Sequence, residues 1–297
     1  MGPTRTLFDR RRQPYVSLVS AYCPDPPPGL RRDRALTRRT DVDALSIVYV
    51  GQAAAVLATR SGTFVPVTAG PACLAPGGIG VPDRVALAPV LARWSELAGG
   101  TPAAAIDLRA WHAAATAVEL RIPAVDRAGI TAAQFAALDR GLPDSSFRAG
   151  GFGPGERAEE LTRLAREAHT GELGACVAAT VGAGMGTTPA GDDVICGVLA
   201  GLDLLGFEGA HRRLGAAVAT LLSCTTRSSR HLLAAAAAGR YTEGLIGLAA
   251  ALVSASAPAV RTVLAVLGRW GASSGLDQAT GFAAAIRAGV AVRAGVR

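Results

Sequence analysis

Thirteen consecutive residues, Val181-Gly-Ala-Gly-Met-Gly-Thr-Thr-Pro-Ala-Gly-Asp-Asp193, hold every part of a small-anion site. Gly182, Gly184 and Gly186 permit positive φ and close approach of a ligand to the backbone, and the apolar run Val194 to Leu199 behind them reads as a buried helix. A glycine loop that feeds a helix start turns unpaired N–H groups outward, where the helix dipole favours a phosphate or carboxylate. Thr187 and Thr188 add hydroxyls, and Asp192 and Asp193 add a carboxylate pair. A plain structural account also exists, because a first-turn Asp complements the dipole by about 0.3 to 1 kcal/mol and Pro suits a helix entry. An exposed first-turn Asp adds too little to its helix to unfold a domain, so on the functional reading exchanging the two Asp for Asn leaves folding largely intact and abolishes activity, whereas on the structural account the variants melt early and keep it.

Two further stretches carry similar chemistry. Thr225-Thr-Arg-Ser-Ser-Arg230 offers four hydroxyls and two guanidiniums ahead of an apolar helix, and Gly271-Ala-Ser-Ser-Gly-Leu-Asp277 is a turn rich in hydroxyls. Ser or Thr before a helix is an ordinary N-cap. The functional reading gives Arg227 to the charge of a ligand and Ser228 or Ser229 to a hydrogen bond. The chain contains no lysine, so all 30 basic residues are arginine and any clamping of an anion falls to a guanidinium. The same absence excludes a lysine Schiff base and the Gly-Lys-Ser/Thr phosphate loop. A dinucleotide fingerprint fits poorly, since the third glycine comes one residue early and Asp203 lies in a helical run. The four histidines share no metal-ligand spacing, and no serine elbow or Cys/His nucleophile signature is present.

Gly184 to Asp193 resembles the signature Gly-x-Gly-Leu-Thr-Pro-Ser-Gly-Asp-Asp of AllH-like proteins, a subunit family of oxamate carbamoyltransferase. Thr225 to Ser229 with Leu232, Leu233, Ala238 and Gly239, and Gly271 to Asp277 with Gly281, are similar to later parts of that family. The resemblance is specific from about Leu173 onward. Thr187 stands where the family usually has Leu, and Ala190 where it usually has Ser, which leaves Thr188 as the surest hydroxyl ligand of the loop. The resemblance implies interconversion of oxalurate plus phosphate with carbamoyl phosphate plus oxamate in ureide (allantoin) breakdown, within a hetero-oligomer of several subunits. It implies a site with Asp192 and Asp193 as catalytic groups and Gly184, Gly186, Thr187, Thr188, Gly191, Arg227, Ser228, Ser274 and Asp277 around the substrate. Such transfer asks mainly for position and charge. An Asp could orient the attacking nitrogen, take its proton, or hold a magnesium ion beside the phosphate. Two other functions suit the same residues: an assembly subunit that binds an anion without catalysis, and a magnesium-dependent phosphate-transferring enzyme.

The elements that must position these residues divide the chain. Residues 1–43, with Arg10-Arg-Arg12, Pro26-Pro-Pro28 and Arg38-Arg39, read as a basic extended arm. Residues 44–150 read as β-rich: Leu45 to Val50 and Ala55 to Thr59 form a hairpin across Gly51-Gln52, followed by short strands at Thr63 to Val67, Gly80-Val81 and Ala105 to Leu108. Gly150-Gly-Phe-Gly-Pro-Gly155 marks a boundary. Residues 151–297 read as helical, with helices over 156–169, 191–205, 211–222, 228–238, 259–267 and 278–293. The fold class is therefore α+β. Each of the three hydroxyl-rich stretches opens a helix, so three helix N-termini can converge on one ligand.

Composition sets the outer limits. Half of the 297 residues are hydrophobic but only 5% are aromatic, so the core is built from Ala, Leu and Val with helices packed closely over small residues. The net charge of +7 is scattered and not interleaved with stacking aromatics, which argues against nucleic acid. Five cysteines without a Cys-x-x-Cys pair point to reduced thiols in the cytoplasm. The N-terminus lacks the apolar core of a signal peptide, and the uncharged stretches are broken by Gly and Pro, so no membrane span is expected.

Overall fold

The computed structural model describes residues 25–37, 42–100, 105–123, 130, 132–142, 154–254 and 257–293. Most of the expected basic arm, Cys23 and most of the Gly/Pro boundary cluster lie outside them. The architecture is α+β. A seven-stranded mixed sheet is formed by β1 (Arg31–Asp33), β2 (Leu45–Val50), β3 (Ala54–Ala58), β4 (Phe64–Ala69), β5 (Ile79–Val81), β6 (Ala105–Ile106) and β7 (Thr116–Val118), in the order β6-β2-β3-β4-β5-β1-β7. The expected hairpin is β2 paired antiparallel with β3, closed by the Gly51 amide donating to the Ala54 carbonyl at 2.8 Å. β3 and β4 are also antiparallel, whereas β4 and β5 are parallel. Residues 31–33, expected in the extended arm, instead pair with both β5 and β7 and complete the sheet.

The N-terminal half is less purely β than the sequence suggests. It carries α1 (Arg84–Gly100), α2 (Arg109–Ala114) and α3 (Ala132–Gly141). Asp83 starts α1 by accepting the Val85 amide at 2.8 Å, and Pro89 sits within the helix. Fully buried Trp94 and Trp111, 6.2 Å apart, join α1 and α2 to the core under the sheet.

The helical half contains α4 (Pro154–Glu167), α5 (Thr170–Thr180), α6 (Ala190–Leu205), α7 (Glu208–Ala219), α8 (Arg227–Ala237), α9 (Glu243–Ser254), α10 (Ala257–Leu267) and α11 (Ser274–Arg293). Its core is a second cluster of mostly Ala, Leu and Val, which also takes in α3. α6 is buried along nearly its whole length and lies against α11 at backbone contact. A Cβ on Gly197 would come 1.9 Å from the Gln278 carbonyl oxygen, and one on Gly281 would come 2.1 Å from that of Val194. Small residues here replace side-chain interdigitation with direct backbone apposition. Gly281→Ala is therefore expected to destabilise the protein by about 1 to 3 kcal/mol or more, because α6 and α11 must separate to admit the methyl group. Chemical denaturation of the variant checks this, and an unchanged midpoint would show that the two helices part freely.

The halves meet along a polar seam. Asp33 pairs with Arg240 and also accepts the Gly77 amide at 2.6 Å, and Arg31 pairs with Glu243. Glu243 further accepts the Leu74 amide at 3.3 Å and donates its own amide to the Leu74 carbonyl at 2.9 Å. These contacts fix the sheet against the junction between α8 and α9, and a cleft lies between the same two halves.

Candidate functional site

The glycine loop adopts the expected backbone. Gly182, Gly184 and Gly186 have φ of 75°, 109° and 98°. The first two are also tightly enclosed, since a Cβ would lie 2.8 Å from the Cys224 carbonyl oxygen at Gly182 and 2.8 Å from the Ala190 amide nitrogen at Gly184. The amides of 184–188 donate no hydrogen bond to any described residue, so they remain available to a ligand. Gly191 is buried for a steric reason, its Cα facing the Thr180 carbonyl at a distance no side chain could share.

The three hydroxyl-rich stretches converge. Thr226 caps α8 by accepting the Ser229 amide at 3.2 Å and donates to the Thr187 carbonyl at 2.6 Å. Thr188 and Ser274 share a hydrogen bond between hydroxyls 2.8 Å apart, which ties the loop to the start of α11. Thr225 donates to Asp192, and Gln278 donates to Asp193 at 2.9 Å. The starts of α6, α8 and α11 thus form one joined surface.

That surface is one wall of a cleft of about 660 Å³. Thr187, Thr188, Asp193, Ser228 and Ser274 line this wall, while Tyr49, Phe64 and other residues of β2, β3 and β4 line the opposite one. Two arginines also border the cleft, Arg84 at the start of α1 and Arg269 just before α11, with the Arg84 guanidinium donating to the Arg269 carbonyl at 2.6 Å. Arg227 is exposed at the start of α8 and is not among the lining residues. Asp277 lies on the first turn of α11, buried, with Oδ2 lacking a partner, and it too is outside the lining.

The carboxylate pair departs from the exposed first-turn arrangement. Asp192 and Asp193 are each 1% exposed, because α6 enters the core at its first turn and not at a solvated end. Their surroundings then separate them. Asp192 accepts the Gly182 amide at 2.8 Å on one oxygen and the Thr225 hydroxyl on the other, so both oxygens hold the scaffold of the loop. Burial raises its pKa, and the Thr225 hydroxyl and Gly182 amide pull it back down. Among the described residues Asp193 accepts from Gln278 alone, and its buried Oδ2 has no partner. Its carboxyl is held well above the ordinary carboxylate range, chiefly by burial, with Gln278 and Ser274 opposing and the negative charges of Asp277 and Asp192 adding to the rise.

This sets a pH dependence. A carboxyl that binds its proton more tightly folded than unfolded favours folding most below the unfolded value of 3.8, and that contribution is lost as pH rises toward the folded value. Asp193→Asn removes this slope. The variant is expected to gain stability over the parent progressively above about pH 4, by up to about 1.4 kcal/mol per pH unit over the interval where the folded parent keeps its proton. Thermal melts of both proteins from pH 4 to 8 test it, and a constant difference across that range would place Asp193 among ordinary carboxylates.

Several participants have no local signature. Gln278 and Thr242 form a buried relay, with the Thr242 hydroxyl donating to the Gln278 carbonyl oxygen at 3.0 Å. His231, which lines the cleft, has Nε2 2.6 Å from the Pro76 carbonyl oxygen, so Nε2 carries a proton, and burial lowers the pKa of the ring. Arg269 stands two residues before the Gly271 motif, whereas Arg84 lies 97 residues before Val181, the start of the nearest motif. Among the described residues no group of three or more His, Cys, Asp or Glu is placed to hold a metal, and no helix is long and apolar enough to cross a membrane.

The fold and cleft define an α+β protein in which a glycine loop and three helix starts bring hydroxyls and unpaired loop amides together at one cleft wall. The family model described as oxamate carbamoyltransferase subunit AllH matches residues 180–286, the segment that supplies the helical wall of the cleft. The resemblance read from the motifs is borne out over that segment. No curated protein and no solved structure matches the chain.

Proposed function

We propose that this chain is a subunit of an oxamate carbamoyltransferase-like enzyme that interconverts oxalurate plus phosphate with carbamoyl phosphate plus oxamate. The observation that carries the reading is the convergence, within the family-matched segment, of three helix starts on one cleft wall with the amides of 184–188 unpaired. These amides, with Thr187, Thr188, Ser228 and Ser274, hold the phosphate group. Arg84 and Arg269 hold the carboxylate of oxamate or oxalurate. In the synthetic direction the oxamate nitrogen attacks the carbamoyl carbon, the bond from that carbon to the phosphate oxygen breaks, and the departing phosphate accepts the proton released by nitrogen. The cleft contributes by holding the two reactants together and by stabilising charge on the carbonyl and phosphate oxygens.

The family description names a subunit, so the activity is proposed for an assembly with other carbamoyltransferase subunits. The test is co-purification of this chain with those subunits and an assay for carbamoyl phosphate formed from oxalurate and phosphate. Formation that depends on this chain supports the proposal. Equal activity of an assembly lacking the chain would overturn it and leave an anion-binding role outside the chemistry.

A further inference from the structure

Asp193 poses a problem that an anion-binding cleft must resolve. Its Oδ1 is held by the Gln278 amide at 2.9 Å, and that amide is itself oriented by Thr242, so the carboxyl group is fixed in place. Its Oδ2 is buried, has no hydrogen-bond partner among the described residues, and belongs to a residue that lines the cleft together with Thr187 and Thr188 of the glycine loop. No guanidinium pairs with it among the described residues. The groups around it are Asp192 and Cys196 on α6, Asp277 on α11, and the Ser274 hydroxyl, which is bonded to Thr188. With acidic neighbours and no cation, an ionised Asp193 would repel a phosphate or carboxylate held on the same wall.

We propose that Asp193 meets the ligand as a neutral carboxylic acid, with Oδ2–H donating a hydrogen bond to an acceptor oxygen of a phosphate or carboxylate while Oδ1 keeps its bond from Gln278. This rests on the reading of the cleft as an anion site. A proton on Oδ2 removes the repulsion and supplies the partner that the buried oxygen lacks. It also assigns Asp193 to recognition of an oxygen acceptor, because a group that already carries its proton does not remove one from the nucleophile. Burial, which holds the carboxyl well above its ordinary range, accords with this state.

Asparagine at this position reproduces both features, an oxygen for Gln278 and an N–H for the ligand, whereas alanine reproduces neither. The experiment is calorimetric titration of the full chain with inorganic phosphate at pH 7 in the presence of a chelator, for the parent protein, Asp193→Asn and Asp193→Ala, with circular dichroism to confirm that each is folded. Asp193→Asn is expected to bind within about threefold of the parent and Asp193→Ala about tenfold more weakly. Infrared difference spectra are expected to contain the C=O stretch of a protonated carboxyl in the parent that is missing from folded Asp193→Asn. A folded Asn variant as weak as the Ala variant would overturn the inference, as would parent binding that appears only when magnesium replaces the chelator. The two levels fail differently: no phosphate binding by the parent overturns the anion reading and this inference with it. Binding without the protonated-carboxyl band overturns this inference alone.

Discussion

Asp192→Ala is expected to lower the melting temperature by about 6 to 12 °C and to abolish anion binding by the cleft. The side chain is buried and occupies two donors, the Gly182 amide and the Thr225 hydroxyl, which belong to the glycine loop and to the segment leading into α8. Its removal leaves both donors short of an acceptor in a place water reaches poorly. Loss of such a pair amounts to about 3 kcal/mol, and for a chain of this size each kcal/mol moves the midpoint by about 2 to 4 °C. Binding suffers beyond the loss of stability, because the loop amides are then no longer held toward the ligand. Thr225→Val, which removes one donor together with its bond, is expected to cost about half as much. Thermal melts and phosphate titration of both variants decide the matter. If Asp192→Ala melts with the parent, the loop is held by its glycines and by Thr226, and the carboxylate is incidental.

The second large effect concerns which arginine clamps the ligand. Arg269→Ala and Arg84→Ala are each expected to weaken oxalurate binding about ten- to a hundredfold, the loss that follows removal of a charge-assisted hydrogen bond worth about 1.5 to 3 kcal/mol. Lysine at either position keeps the charge but loses the planar two-point contact, so recovery is expected to be partial. Arg227→Ala is expected to change affinity by no more than about threefold, since the side chain is exposed and outside the cleft lining. Isothermal titration of the three alanine variants ranks them. A larger loss at Arg227 than at Arg84 and Arg269 would move the carboxylate site to the start of α8, where the hydroxyl-rich motif by itself had placed it.

The contrast between these arginines marks where the sequence is legible. Gly182, Gly184, Thr188, Asp193 and Ser274 could be picked out because their chemistry is local: a glycine needing positive φ, a hydroxyl at a helix start, a carboxylate in a first turn. Arg227 looked equally suitable by the same logic, yet a helix start settles only where a backbone begins and not which way a long side chain lies. Arg84 reaches the cleft through the packing of α1 against the sheet, and nothing within ten residues of it announces that. The burial of Asp192 and Asp193 is hidden for a related reason, since the first turn of a helix is solvated by default and it takes the glycine loop and the segment leading into α8 to cover Asp192, and α11 to cover Asp193. Apolar periodicity gives the fold class, but α1, α2, α3, α5 and α9 do not stand out in it, and α1 and α9 show why. Pro89 interrupts the pattern of one, and the Ala-rich run of the other carries too little contrast between faces to show a period.

The glycine contact between α6 and α11 has a consequence for how such a cleft can change its preference. Asp193 and Gln278 sit on those two helices, and at Gly197 and Gly281 there is not even room for a methyl group. The helical wall is therefore a fixed gauge, unable to widen or tilt without parting backbone from backbone. The opposite wall is drawn from strand side chains such as Tyr49 and Phe64, which can be exchanged one at a time without disturbing the pairing of the sheet. On the proposed function, recognition of the anion belongs to the rigid wall, and adaptation to whatever is attached to that anion belongs to the strands.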